Sequence, residues 1–142
     1  MRNIETEIII YASKEKVWSI LSDFKNYKNW NPFIKHSEGE MKIGGKLENH
    51  IYIDDKKNVF NPTILELTPN KSFYWLGSLL FKGFFSGRHY FEIQEISENK
   101  VKLIHGEDFT GMISSLVFNK ISESTKAGFV MMNKALKLES EK

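Results

Sequence analysis

Residues 111–138 read GMISSLVFNKISESTKAGFVMMNKALKL, and this stretch decides the fold. Apolar side chains stand at Ile113, Leu116, Val117, Ile121, Phe129, Met132, Ala135 and Leu136, in steps of three and four that draw one stripe along an α-helix. Ser124, Thr125 and Gly128 fall on the same stripe, so its two ends are bulky and its middle is narrow. At a rise of about 1.5 Å per residue the helix runs roughly 40 Å, well beyond the average for a globular domain. A helix of that length needs a large curved surface to lie against. A coiled-coil tail is the competing reading, and the lack of a sustained heptad with charged flanks argues against it.

The residues before Gly111 supply the surface. Ile4 to Tyr11 alternate, with Ile4, Thr6, Ile8 and Ile10 on one face, which predicts a first strand with one buried side. Ser13 is placed to cap a short helix whose buried face is Val17, Trp18, Ile20 and Leu21. Asp23 opens a second short helix through Tyr27 and Trp30, which Asn31-Pro32 stops. Strands are then predicted at Ile34–Met41, Lys46–Ile53, Val59–Leu67, Ser72–Gly77, Arg88–Ile96 and Val101–Phe109. In the second of these Leu47, Asn49, Ile51 and Ile53 share one face, against Glu48, His50 and Tyr52. Pro62 lies inside the third, which must therefore be an edge strand or carry a bulge. The order is one strand, two short helices, six strands and a long helix. It predicts a single α+β domain over residues 1–142, a curved antiparallel sheet of about seven strands gripping the C-terminal helix. Gly128 is expected where helix and sheet come closest.

Composition bounds the function. Eleven Phe, five Tyr and three Trp give more ring surface than a core of 142 residues needs, so part of it is expected to line a cavity. There is no cysteine, which excludes disulfides and thiolate chemistry and fits a reducing cytoplasm. The first residues carry no signal-peptide pattern, and no apolar run reaches the roughly eighteen residues of a membrane span. Lysines are scattered among acids at a net charge of +2, so no nucleic-acid groove is expected. Phosphate-binding loops and serine nucleophile elbows are absent, and no cofactor is called for.

The chemistry concentrates at the end of the sheet. Alternation in Val101–Phe109 places His105 and Glu107 inward with Val101, Leu103 and Phe109. Counting outward from the Glu98-Asn99 turn brings His89, of the preceding strand, to the level of His105 or Glu107. Two imidazoles and a carboxylate suit general acid–base work, with His105 and Glu107 as the pair and His89 assisting. The same residues equally suit a structural pair, since an inward carboxylate needs a partner. His89, His105 and Glu107 are metal-capable types, but their spacing matches no compact metal signature, so no metal is expected. Trp30, Phe33, Phe60, Trp75, Phe91, Phe109, Phe118, Phe129 and Met132 are the candidates for an apolar binding wall. The apolar segment Leu79–Phe85 reads as a lid, or as the contact for a homodimer or a protein partner.

Several local patterns resemble a known family. They are Ala12-Ser13-Lys14-Glu15-Lys16-Val17-Trp18, then Phe24 through Trp30-Asn31-Pro32-Phe33-Ile34, and Phe73-Tyr74-Trp75-Leu76-Gly77. Gly87-Arg88-His89-Tyr90-Phe91-Glu92-Ile93 and His105-Gly106-Glu107-Asp108-Phe109-Thr110-Gly111 follow. Together with the element order they are similar to the Bet v 1-like helix-grip fold of the START/polyketide cyclase superfamily, also called SRPBCC. The resemblance implies a cavity between sheet and helix for a hydrophobic small molecule such as a lipid, quinone, polyketide or isoprenoid. It does not imply one reaction, because that family includes cyclases, lipid carriers, hormone receptors and a chaperone-activating domain. Ligand binding is the leading expectation, a cyclase or dehydratase using His105 and Glu107 the second, and a chaperone-activator-like interaction module the third.

Overall fold

The computed structural model describes residues 2–78, 85–111 and 115–142. Strand β1 (Arg2–Ile10) leads into α1 (Lys14–Leu21), a single 3-10 turn at Phe24–Asn26, and α2 (Tyr27–Trp30). Then come β2 (Ile34–Glu38), β3 (Glu48–Ile53), β4 (Lys56–Phe60), β5 (Thr63–Thr68), β6 (Ser72–Ser78), β7 (Phe85–Ser97), β8 (Lys100–Gly111) and α3 (Ser115–Ser140). All pairings are antiparallel, in a five-stranded sheet β1-β8-β7-β6-β5 and a three-stranded sheet β2-β3-β4.

The described residues thus form eight strands rather than seven, and Pro62 is the reason. With no N–H to give the ladder, it splits the expected Val59–Leu67 strand into β4 and β5, each at the edge of a different sheet. Its carbonyl still accepts from Leu47 N at 2.8 Å, and Ile64 N donates to Gly45 O at 2.8 Å. These bonds and the Lys46–Thr63 bridge join the two sheets into one curved surface. The β3–β4 hairpin turns on Asp54 and Asp55, both at positive φ (51° and 62°), the conformation a two-residue hairpin turn requires.

Helix α3 lies across this surface. Its described residues run from Ser115, and Gly111 is not part of it but remains in β8 at φ 113°, outside the right-handed helical region. Ile113, at the start of the helical stripe, and Leu79–Phe84, nearly all of the apolar loop, lie outside the described residues. The C-terminal half of α3 is tied to β1: Lys137 Nζ donates to Ile9 O at 2.9 Å, and Tyr11 N donates to Glu141 at 2.8 Å. The narrow middle of the stripe faces β3 and Phe33. Gly128 is buried there, and an added Cβ would lie well inside contact distance of the edge of the Phe33 ring. The close approach is therefore to the residue leading into β2 rather than to a strand. Ser13 caps α1 as expected, its Oγ accepting from Lys16 N at 3.1 Å.

Candidate functional site

Strands β7 and β8 pair so that His89 stands opposite Glu107 and Phe91 opposite His105. The inward face of β8 is buried throughout, and Asn133 of α3 reaches down to it. The hydrogen bonds that follow fix every proton along one line. Thr6 Oγ1 gives its single proton to His105 O at 2.8 Å, so its oxygen accepts from Asn133 Nδ2 at 2.8 Å. Asn133 Oδ1 is left to accept from His105 Nδ1–H at 2.8 Å. His105 Nε2 then carries a lone pair and accepts from His89 Nε2–H at 2.7 Å. That leaves the lone pair of His89 on Nδ1, facing Glu107 Oε1 at 3.6 Å.

Burial sets the charge states. Desolvation lowers the His89 pKa to about 3 and drives that of His105 well below its ordinary range, where the neighbouring His89 adds to the effect. Desolvation also raises Glu107 to about 8, with the charge of Asp108 adding to it. His89 and Glu107 have the composition of an ion pair, yet desolvation pushes each toward its uncharged form. The line of bonds from Thr6 ends at His89, whose Nδ1 lone pair lies 3.6 Å from a carboxyl that burial pushes toward its protonated form.

Stacked rings hold the line in place. His105 is sandwiched between Phe91 (centroids 4.3 Å apart) and Phe129 (4.1 Å), and His89 stacks on Trp75 at 4.9 Å. On the solvent side of β8, Tyr90 lies over Gly106, where any Cβ would collide with its phenol group. The Tyr90 hydroxyl donates to Glu5 at 2.7 Å and accepts from Asn3 at 3.0 Å.

His89 and Glu107 open onto a cavity of about 580 Å³ between the sheet and α3. Its walls are largely apolar: Phe33, Ile51, Ile53, Phe60, Pro62, Trp75, Phe109 and Ile121. Ser124 and Thr125 form the helix side, and their small size leaves the space open. Asn49 enters from β3 fully buried. Its Oδ1 accepts from Ser37 Oγ at 2.5 Å, while its Nδ2 has no partner among the described residues. Asp54, Lys56 and Lys120 stand at the exposed rim, where Ser124 Oγ donates to Asp54 at 2.8 Å and ties the helix to the β3–β4 turn.

Residues 1–136 match the family described as polyketide cyclase/dehydrase and lipid transport. The chain belongs to this family. No curated protein matches it. Among solved structures it is similar to a START superfamily protein from Mycobacterium smegmatis, at 20% identity over 98% of this chain and 97% of that one, with a TM-score of 0.76. It is also similar to the Zhui aromatase/cyclase from Streptomyces sp. R1128, at 17% identity over 99% and 93% of the two chains and a TM-score of 0.78. A protein from Thermus thermophilus is 13% identical over 98% and 97%, with a TM-score of 0.77. Identities this low establish a shared fold and nothing finer.

Within this member of the polyketide cyclase/dehydrase and lipid transport family, the sequence-predicted residues divide into two groups. His89, Glu107, Phe33, Phe60, Trp75 and Phe109 border the cavity. His105, Trp30, Phe91, Phe118, Phe129 and Met132 do not. Both ring nitrogens of His105 are taken by Asn133 and His89. Phe91 and Phe129 serve as its sandwich, Trp30 packs on Tyr27 at 5.2 Å, Phe118 packs on Phe109 at 5.4 Å, and Met132 is core. An inward direction brings a side chain to the helix, and packing against the helix removes it from the void. Sequence reasoning also missed Asn49, although an amide on the otherwise apolar face of Leu47, Ile51 and Ile53 was a readable signal. Asn133 was missed because nothing in its own neighbourhood marks it as a partner for His105. Among the described residues no helix is long and apolar enough to cross a membrane.

Proposed function

We propose that this protein binds an apolar small molecule carrying at least one acceptor oxygen, a carbonyl or phenol of polyketide, quinone or related type. The geometry that carries this reading is two polar side chains in the wall of an apolar cavity: Glu107, whose carboxyl burial pushes toward its protonated form, and Asn49, whose Nδ2 is unpartnered among the described residues. Apolar walls bind the carbon body and the two polar groups orient it, the division of labour found in most small-molecule sites. An isosteric molecule without oxygen binds less well because it leaves the Asn49 amide buried and unpaired. Membership of the polyketide cyclase/dehydrase and lipid transport family supports the class of ligand.

The test uses displacement of an environment-sensitive dye by matched pairs, such as an anthraquinone and anthracene. The quinone is expected to displace the dye at the lower concentration, and Asn49→Leu should remove most of that preference while retaining dye binding. Equal displacement by both molecules in the wild-type protein would refute the reading.

A cyclase or dehydratase reading is favoured by one further feature, the Glu107 pKa of about 8 beside a fixed imidazole lone pair. An acid of that strength protonates a carbonyl oxygen and takes a proton back at neutral pH. His89, at about 3, is too weak a base to hold a proton itself, and His105 does not reach the cavity. Glu107 is then the catalytic group, with His89 and His105 as positioning residues. Turnover of a poly-β-ketone analogue should fall about 100-fold or more in Glu107→Gln, with dye affinity retained. The absence of any turnover in the wild-type protein would leave the carrier reading alone.

A further inference from the structure

The three-stranded sheet has a second face, turned away from the cavity. Alternation in β2 and β3 puts Ser37, Asn49 and Ile51 inside and His36, Glu38, Glu48 and His50 outside. Register then pairs His36 with His50 and Glu38 with Glu48, so two imidazoles and two carboxylates form a square on one surface. The imidazole centroids are 4.4 Å apart. His36 Nε2 lies 2.9 Å from Glu38 Oε1, and His50 Nε2 lies 2.9 Å from Glu48 Oε2. One ligand atom each from His36, Glu48 and His50 lie within 4.8 Å of one another.

We propose that His36, His50 and Glu48, with Glu38 or water in fourth place, bind a divalent transition-metal ion, zinc being the best match. Directly opposed carboxylates repel across a sheet, and a cation between them removes that repulsion. Ligand atoms around tetrahedral zinc stand about 3.3 Å apart, given bonds of about 2.0–2.1 Å. The three groups therefore need to close by at most about 1.5 Å, a rotation that half-exposed side chains on a fixed backbone can make. The backbone is fixed by Ile34, Ser37, Leu47 and Asn49, all buried beneath the square. Two imidazoles with carboxylates select zinc, cobalt, nickel or copper over calcium or magnesium, whose preferred shells are all oxygen. The bound ion would clip β2 to β3, the strand that carries Asn49 and Ile51 into the cavity wall.

Untagged protein stripped with chelator and titrated with zinc chloride should take up one equivalent, with a rise in Tm. His36→Gln and His50→Gln should each weaken binding at least tenfold, on the order of the loss seen when even an outer partner of a metal ligand is removed. Glu107→Gln, in β8 of the five-stranded sheet, should leave the titration unchanged, which separates this site from the ligand cavity. Full-affinity binding by the double variant, or no binding by the wild-type protein, would overturn the proposal. The histidine ring C–H resonances of the wild-type protein give a readout that needs no variant. Zinc should shift those of His36 and His50 and leave those of buried His89 and His105 in place, and the reverse pattern would overturn the assignment.

Discussion

Glu107→Gln should stabilise this protein at neutral pH, and the gain should grow with pH. In the folded chain the carboxyl titrates at about 8, while its ordinary value is 4.5. Between those values the folded state holds a proton that the unfolded state has released, so raising the pH favours unfolding. At pH 7 the cost of keeping the acid protonated is about 3 kcal/mol, and it levels off above pH 8. Glutamine has nearly the same shape, donates a hydrogen bond and does not titrate. The difference in unfolding free energy between variant and wild type, from urea denaturation at pH 5.5, 6.5, 7.5 and 8.5, should therefore rise by about 1.4 kcal/mol per pH unit up to about pH 8. A constant offset from imperfect packing does not alter that slope. His89, with its folded pKa lowered to about 3, and His105, lowered as well, act in the opposite sense: each loses stability as pH falls below 6.5, and together they outweigh Glu107 there. Wild-type stability should accordingly peak near pH 6.5, and the variant should keep the acid limb and lose the alkaline one. Parallel curves for the two proteins would show that Glu107 is ionised in the folded state and would refute the reasoning.

Gly128→Ala should cost about 1–3 kcal/mol by denaturant titration, because the new Cβ meets the Phe33 ring, and the added Phe33→Leu change should recover part of that loss. Asn133→Leu leaves His105 Nδ1–H and the accepting side of Thr6 Oγ1 short of their partner in the core. It should destabilise by about 1–3 kcal/mol for each stranded group, with the dye still bound, since Asn133 does not border the cavity.

Much of this protein was legible from local pattern. The three- and four-residue steps from Leu116 to Leu136 mark a helix wherever they occur, because side-chain direction repeats with the backbone. Alternation assigned the faces of β1, β3 and β8 correctly, and counting from the Glu98-Asn99 turn put His89 level with His105 or Glu107; a register shift between Glu95 and Ser97, which local pattern does not announce, is what sets it opposite Glu107. Pro62 marked a break in the sheet, although the local pattern reads as one strand with a defect rather than as two strands in different sheets. The narrow Ser124, Thr125 and Gly128 segment was visible as a feature before its use was clear.

Tertiary structure decided what the inward residues do. Phe91, Phe129 and Phe109 all point inward, yet the first two close on His105 and only Phe109 meets the void. The outcome depends on where α3 lies along the sheet, which is fixed by contacts between residues more than a hundred positions apart, such as Asn133 with Thr6 and Lys137 with Ile9. Protonation was equally out of reach. A glutamate two residues from a histidine reads as a carboxylate, and only enclosure by surrounding elements removes the water that would keep it charged. His36 and His50, fourteen positions apart in the chain, were unremarkable until β2 and β3 paired them. Periodicity fixes the direction of a side chain because it is local, whereas its neighbours and its solvent are properties of the assembled fold.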